Sequence, residues 1–234
     1  MALTAEGRAL YEFVKPFFDG LPGIVRAVRQ RTFGGTLTVH AGGMLVRKLL
    51  PGWFGRLKRT RPDITIDLHE AEEPAISLLR AGQTDLVVDF IPAVPPDVVT
   101  MRVATTFAFA VVPSSHVVTG RRRPVLAELG RETFISYPRG STPCELQMSV
   151  LESEGIVPSR TVSVGSADSI LGFVEAGVGW SIIPWLDPEG PKSAHLRVRR
   201  LQAPRGGFPV HVAYRKHDAK SPLIVAALAA VAPK

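Results

Sequence analysis

Two sets of residues in this 234-residue chain have the chemistry to hold a small polar ligand. In open α/β sheets, ligands settle at the carboxyl ends of the strands, where helix N-termini present free N–H groups. In the first half of the chain those ends are Gly42, Gly43 and Met44, then Glu70, Ala71, Glu72 and Glu73, then Asp89 and Phe90. In the second half they are Arg139, Gly140, Ser141 and Thr142, then Ser166 and Ala167, then Pro184 and Trp185. Thr142, before Pro143, and Ser166 have the chemistry of helix caps, a role that by itself needs no ligand. Their convergence on one crevice is what points beyond capping.

Reaction chemistry is sparse by comparison. The chain has no GxSxG elbow, no HExxH, no GxxxxGK[ST] loop and no GxGxxG turn. Gly177-Val178-Gly179 comes nearest to the last, but it precedes a strand instead of opening a helix. His40, His69, His116, His195, His211 and His217 include no pair at i, i+4, so zinc on one helical face is unsupported. His211 and Asp218 flank basic residues and are expected at the surface. The single cysteine, Cys144, excludes an internal disulfide framework and a multi-thiolate zinc site. It falls in the first turn of an expected helix, where the dipole would lower its pKa, although a small packed residue is the simpler reading. Neither an enzyme nor a metal or cofactor is expected.

The elements that would position these residues alternate. Strand-like runs cover 37–40, 64–69, 86–89, 107–112, 133–137, 161–164, 180–183, 196–198 and 210–214, with helical stretches at 45–59, 75–81, 145–154, 169–176 and 223–231. That order predicts βαβ units on mainly parallel sheets with right-handed crossovers, split into two lobes. The expected crossing is the strand at 107–112, with a return near His211. Ahead of them, Leu3, Leu10, Phe13, Phe17, Leu21, Ile24 and Val28 are spaced 7, 3, 4, 4, 3 and 4 apart. This is the seam of a helix that packs on another helix, bent or broken near Pro22. Thr4 and Gly7 do not make a capping box.

Composition is that of a globular chain, 45% hydrophobic and 21% charged. The net charge of +7 is scattered, so it does not by itself argue for nucleic acid. Its one dense run, Arg121-Arg122-Arg123 between Gly120 and Pro124, reads as a solvated loop tip, with an anion contact as the alternative. No apolar run approaches the ~18 residues of a membrane span. The first residues lack the order of a secretory signal, so a cytoplasmic location is expected.

The order of motifs resembles one family. Leu3-Thr4-Ala5-Glu6-Gly7 with Leu10 is similar to the "LTxxGxxL" that opens the linker helix of LysR-type transcriptional regulators. Gly35-Thr36-Leu37-Thr38-Val39, Leu49-Leu50-Pro51, Pro62-Asp63-Ile64 and Leu79-Arg80-Ala81-Gly82-Gln83-Thr84-Asp85-Leu86 follow the family pattern in order and spacing. So do Val111-Val112-Pro113 with His116, Gly155-Ile156-Val157-Pro158, and Val174-Glu175-Ala176-Gly177-Val178-Gly179 with Pro184.

The resemblance implies a two-lobed, periplasmic-binding-protein-like (type 2) effector-binding domain preceded by a linker helix. Residues 1–33 would be the linker and dimerisation helix, 34–106 with 212–234 the first lobe, and 107–211 the second. A small polar effector would sit in the interlobe cleft against Gly43, Met44, Glu72, Asp89, Phe90, Arg139, Ser141, Thr142, Ser166 and Ala167. Met44 stands where the family often has a hydroxyl residue, and Glu72 or Glu73 where Thr or Ser is common. Arg139 would pair a carboxylate. With Glu72 and Asp89 opposite, an effector bearing both a carboxylate and a cationic or donor group suits the set better than a dicarboxylate.

The implied protein is a homodimer or homotetramer, held in part by the helix 45–59 with Trp53 and Phe54 at the lobe surface. It would meet DNA only through a winged helix-turn-helix expected before residue 1. The alternatives are a solute-binding protein of an uptake system, disfavoured by the N-terminal seam, and a small enzyme on the same scaffold, disfavoured by the lack of a nucleophile–base pair.

Overall fold

In the computed structural model the described residues are 35–71, 73–116, 129–201 and 207–231, with positions 4, 7, 8, 10, 11, 14, 15 and 18. The run 121–123, Glu72 and most of the expected N-terminal seam lie outside them. Within that seam Gly7 N–H donates to Thr4 Oγ1 at 3.1 Å, a single bond without the reciprocal one of a capping box, and Leu10 is 63% exposed.

The chain forms two compact units. One comprises Met1–Val46, Leu50–Met101 and His211–Lys234, the other Arg47–Leu49 and Arg102–Val210. Unit one is built on β1 (Thr36–Gly42), which pairs in parallel with β2 (Thr65–Ala71) on one side and β3 (Leu86–Asp89) on the other. All three strands therefore end along one edge, at Gly42, Ala71 and Asp89. Every residue of β3 is buried, as expected of a strand covered on both faces. Antiparallel β9 (Phe208–Arg215) adds to β3, placing His211 opposite Asp89. Half-buried in a core strand, His211 is not the surface residue its basic neighbours suggested. Asp218 is likewise drawn in by an ion pair with Arg215.

The expected helix 45–59 is two helices, α1 (Gly43–Lys48) and α2 (Leu50–Thr60). Pro51 explains the break, because it lacks an N–H to continue the first helix yet suits the opening turn of the second. Leu50, Trp53, Phe54 and Leu57 recur at i, i+3, i+4 and i+7, and all are buried. Trp53 is 1% exposed and its indole N–H donates to Ala227 O at 2.7 Å, while Arg56 Nε donates to Ala230 O at 2.9 Å. Trp53 thus seats the C-terminal helix Pro222–Ala229, and neither it nor the buried Phe54 forms an outward apolar face.

The segment from Leu79 to Leu86 is a polar lock. It joins α3 (Ile76–Arg80) to β3. Asp85 Oδ2 accepts Thr38 N–H at 2.8 Å, and Thr84 Oγ1 donates to Thr38 O at 2.9 Å. Arg215, from the far end of the chain, donates to Leu79 O and Thr84 O at 2.6 and 2.7 Å. Beside this lock Leu79, Val87, Ile91, Val98 and Ala213 form one apolar cluster.

In unit two, β5 (Thr133–Ser136) and β6 (Arg160–Ser163) pair in parallel, and Phe134 bridges to Trp180 just before β7 (Ser181–Trp185). β4 (Val98–Pro113), whose second half is the expected strand 107–112, runs antiparallel to β7 and to β8 (Leu196–Arg200). The βαβ units are parallel as the alternation predicts; the antiparallel pairs come from β4 and β9, which carry the chain from one unit to the other. Helices α4 (Thr142–Ser153) and α5 (Ala167–Glu175) follow β5 and β6. Buried Gln147 ties α4 to the sheet by accepting Tyr137 N–H at 2.9 Å and donating to Ile182 O at 2.7 Å.

Gly179 lies so close to β5 that a Cβ would sit 2.1 Å from Thr133 O. Gly179→Ala should therefore cost about 1–3 kcal/mol by overpacking, seen as a lower urea midpoint at an unchanged denaturant slope.

Candidate functional site

The strand ends of unit one gather Gly42, Gly43, Met44, Ala71, Glu73, Asp89 and Phe90. Gly43 and Met44 open α1 and are half-buried. Phe90 is 8% exposed and Asp89 only 6%. Asp89 Oδ1 accepts the Phe90 N–H at 2.8 Å. Burial pushes its carboxyl from the usual 3.8 up to about 7, with Glu73 adding to the rise and the Phe90 N–H opposing it. Among the described residues no arginine or lysine pairs with it. A Cβ on Gly42 would meet both carboxylate oxygens at 3.4–3.5 Å, so the glycine backbone borders the carboxylate without covering it further.

The strand ends of unit two gather Tyr137, Arg139, Ser141, Thr142, Ser166 and Ala167. Ser141, not Thr142, is the cap of α4. Its Oγ accepts Cys144 N–H at 3.3 Å and donates to Pro138 O at 2.7 Å. Thr142 is the first residue inside the helix, because extended φ/ψ belongs to Ser141 and Pro143 then suits the opening turn. Ser166 caps α5 as expected, accepting Ser169 N–H at 3.1 Å. Ala167 beside it is buried, and Arg139 is exposed. Cys144 is buried, and burial pushes its thiol pKa up, overriding the expected helix-start lowering even with Arg139 pulling downward.

Three residues escaped sequence reasoning. Tyr137, at the end of β5, is 6% exposed, and burial, with Asp168 nearby, pushes its phenol far above the usual range. Asp168, in the first turn of α5, forms an ion pair with Arg47. Tyr137 was visible only as the last residue of an expected strand, and no local pattern marks Arg47 or Asp168. Along the outer turns of α5, Asp168, Glu175, Trp185, Asp187 and Leu196 line a cavity of about 640 Å³, with Lys48 Nζ 5.5 Å from the centre of the Trp185 ring. Among the described residues no three histidine, cysteine or acidic side chains cluster so as to hold a metal, and no helix is long and apolar enough to cross a membrane.

Comparison with known proteins places these features. The family model "LysR substrate binding domain" matches residues 30–233. The transcriptional regulator ShiR of Corynebacterium glutamicum is 24% identical over 208 residues, covering 85% of this chain and 70% of ShiR. CysB of Haemophilus influenzae is 24% identical over 187 residues, covering 78% and 58%. The dual regulator GltC of Bacillus subtilis is 24% identical over 152 residues, covering 64% and 51%. The chain thus spans roughly half to seven-tenths of the length of these curated relatives.

Among solved structures, the BenM effector-binding domain with its effector benzoate superposes with a TM-score of 0.70 at 21% identity, covering 84% of this chain and 90% of that one. Full-length CbnR in complex with its target DNA has a TM-score of 0.70 at 22% identity, covering 99% and 83%. At such identities the likeness speaks for the fold.

Proposed function

The chain belongs to the LysR substrate-binding-domain family, and we propose that it is the ligand-sensing and oligomerising part of a bacterial transcription regulator. The observation that carries this reading is the family match over residues 30–233, which takes in both units. In this reading the chain catalyses no reaction and needs no cofactor. It works in the cytoplasm, where the regulated DNA is. Its effector is a small polar molecule held by strand-end residues.

The helix starts of unit two suit a carboxylate. Thr142 brings a hydroxyl to the first turn of α4, Ser166 brings another to the cap of α5, and Arg139 is exposed nearby in sequence to pair the anion. A thermal-shift screen of small carboxylates identifies a binder. The double substitution Thr142→Ala and Ser166→Ala should then weaken its binding at least tenfold, while costing only ~1 kcal/mol of stability for the one true cap removed. Unchanged affinity with an intact fold would move the anion site elsewhere.

Two partner expectations complete the reading. The chain is a dimer or tetramer, an expectation supported by Leu10, Tyr11 and Phe18, exposed on the N-terminal helix at 63%, 51% and 61%. Sedimentation at micromolar concentration checks it, and a monomer alone would defeat it. Toward DNA, this chain should bind weakly, without sequence preference and with steep salt dependence, because counterion release gives affinity but no base readout. Gel-shift competition between a promoter fragment and random duplex tests that.

A further inference from the structure

One aspartate, Asp85, precedes β3 and another, Asp89, ends it, and the fold treats them differently. Asp85 and Asp89 are both 6% exposed. Asp85 accepts the Thr38 N–H and faces the Arg215 guanidinium at 3.7 Å. Asp89 accepts one hydrogen bond, from its own neighbour Phe90 to Oδ1. Among the described residues no hydrogen bond reaches its second oxygen and no basic side chain pairs with it. A buried carboxylate without a partner is costly, and the same strand shows how readily this fold supplies one. The groups around Asp89 deepen the deficit. Glu73 brings a second negative charge from the segment after β2. His211 stands opposite in the β3–β9 register. At Gly42, where a Cβ would lie on both carboxylate oxygens, there is only backbone.

We infer that the strand-end site of unit one is built for a cationic nitrogen, an ammonium or guanidinium group of the effector, with Asp89 as its counter-ion and Gly42 leaving the approach open. This rests on the effector-sensing reading and names the chemical class at one end of the ligand. The cation meets the ionised carboxylate, so its binding displaces the proton that burial keeps on Asp89 near neutrality. With a free-state pKa of about 7, the ionised fraction rises about tenfold between pH 6 and pH 8, and affinity for the cation should rise with it. Glu73 and His211 face the same point, so any pH dependence that survives removal of Asp89 is theirs.

The test uses the whole chain with agmatine, putrescine and L-arginine as cationic probes, and succinate and benzoate as anionic ones, by thermal shift and titration calorimetry at pH 6 and pH 8. At least one cation should stabilise the protein, bind roughly tenfold more tightly at pH 8, and lose that binding in Asp89→Asn. Carbon-13 titration of the Asp89 carboxyl in the unaltered chain gives a second readout, in which the bound cation lowers its midpoint. If no cation stabilises the chain, or if one binds equally well to Asp89→Asn without moving that midpoint, the inference is overturned. The effector reading is judged separately, by whether any probe, anionic ones included, registers through Thr142 and Ser166.

Discussion

Arg215→Ala lowers the unfolding free energy by about 3–5 kcal/mol, the scale for stripping one partner from a buried ionic network. Arg215 is 9% exposed and its guanidinium serves four acceptors at once. They are Leu79 O and Thr84 O at 2.6 and 2.7 Å, Asp85 Oδ1 at 3.7 Å and Asp218 Oδ2. Alanine would leave two buried carbonyls short of a donor and the buried Asp85 short of its counter-charge. Lysine should recover only part of the loss, because a single ammonium cannot reproduce the planar fork. The matched control is Arg80→Ala. Arg80 Nε lies 2.8 Å from Asp97, but the two side chains are 55% and 49% exposed, so removing it should cost no more than about 1 kcal/mol. Urea melts of the three variants separate the cases. Equal midpoints for Arg215→Ala and Arg80→Ala would show that the network adds nothing to folding.

That network also shows how far local sequence reaches. The run from Leu79 to Leu86 is recognisable as a motif, and the strand after it is predicted with its observed bounds. Why the motif holds its residues is a tertiary matter, since its donor arrives with β9 from the other end of the chain. Trp53 and Phe54 make the same point in reverse. Their spacing with Leu50 and Leu57 marks an apolar stripe, but not which neighbour covers it, and Ala227 lies 174 residues away. At the start of α4 the adjacent hydroxyls of Ser141 and Thr142 are chemically interchangeable as caps. Backbone dihedrals chose Ser141, and these follow from the packing of Pro143 and Cys144 inside the helix. The positions at the strand ends were legible because period-2 and period-3.6 patterns locate where strands stop and helices begin. Burial at those positions was not, because it depends on strands that are distant in sequence. Cys144 stands where a helix dipole would lower a thiol pKa and Asp89 where a strand ends, yet both have their ionisation set by burial.

For Asp89 the consequence is a stability that falls as pH rises. Its carboxyl titrates near 7 in the folded chain and at the ordinary 3.8 once unfolded. Between those values the folded protein holds a proton that the unfolded chain has released, so the contribution is fully present below about pH 4 and gone above about pH 7. At 1.36 kcal/mol per pH unit the full span is on the order of 4 kcal/mol. Asp89→Asn keeps the shape and the neutral state while removing the titration. The variant should match the unaltered chain near pH 3.5, surpass it progressively, and be more stable by on the order of 4 kcal/mol at pH 8. Paired urea melts at half-unit pH intervals give the difference directly, and other titrating groups cancel between the two proteins. A flat difference would mean that water or another charge already relieves Asp89. A rising one would mean that the fold carries, at the end of β3, an ionised carboxylate whose burial costs stability above neutrality, and that a bound cation is the natural means of recovering it.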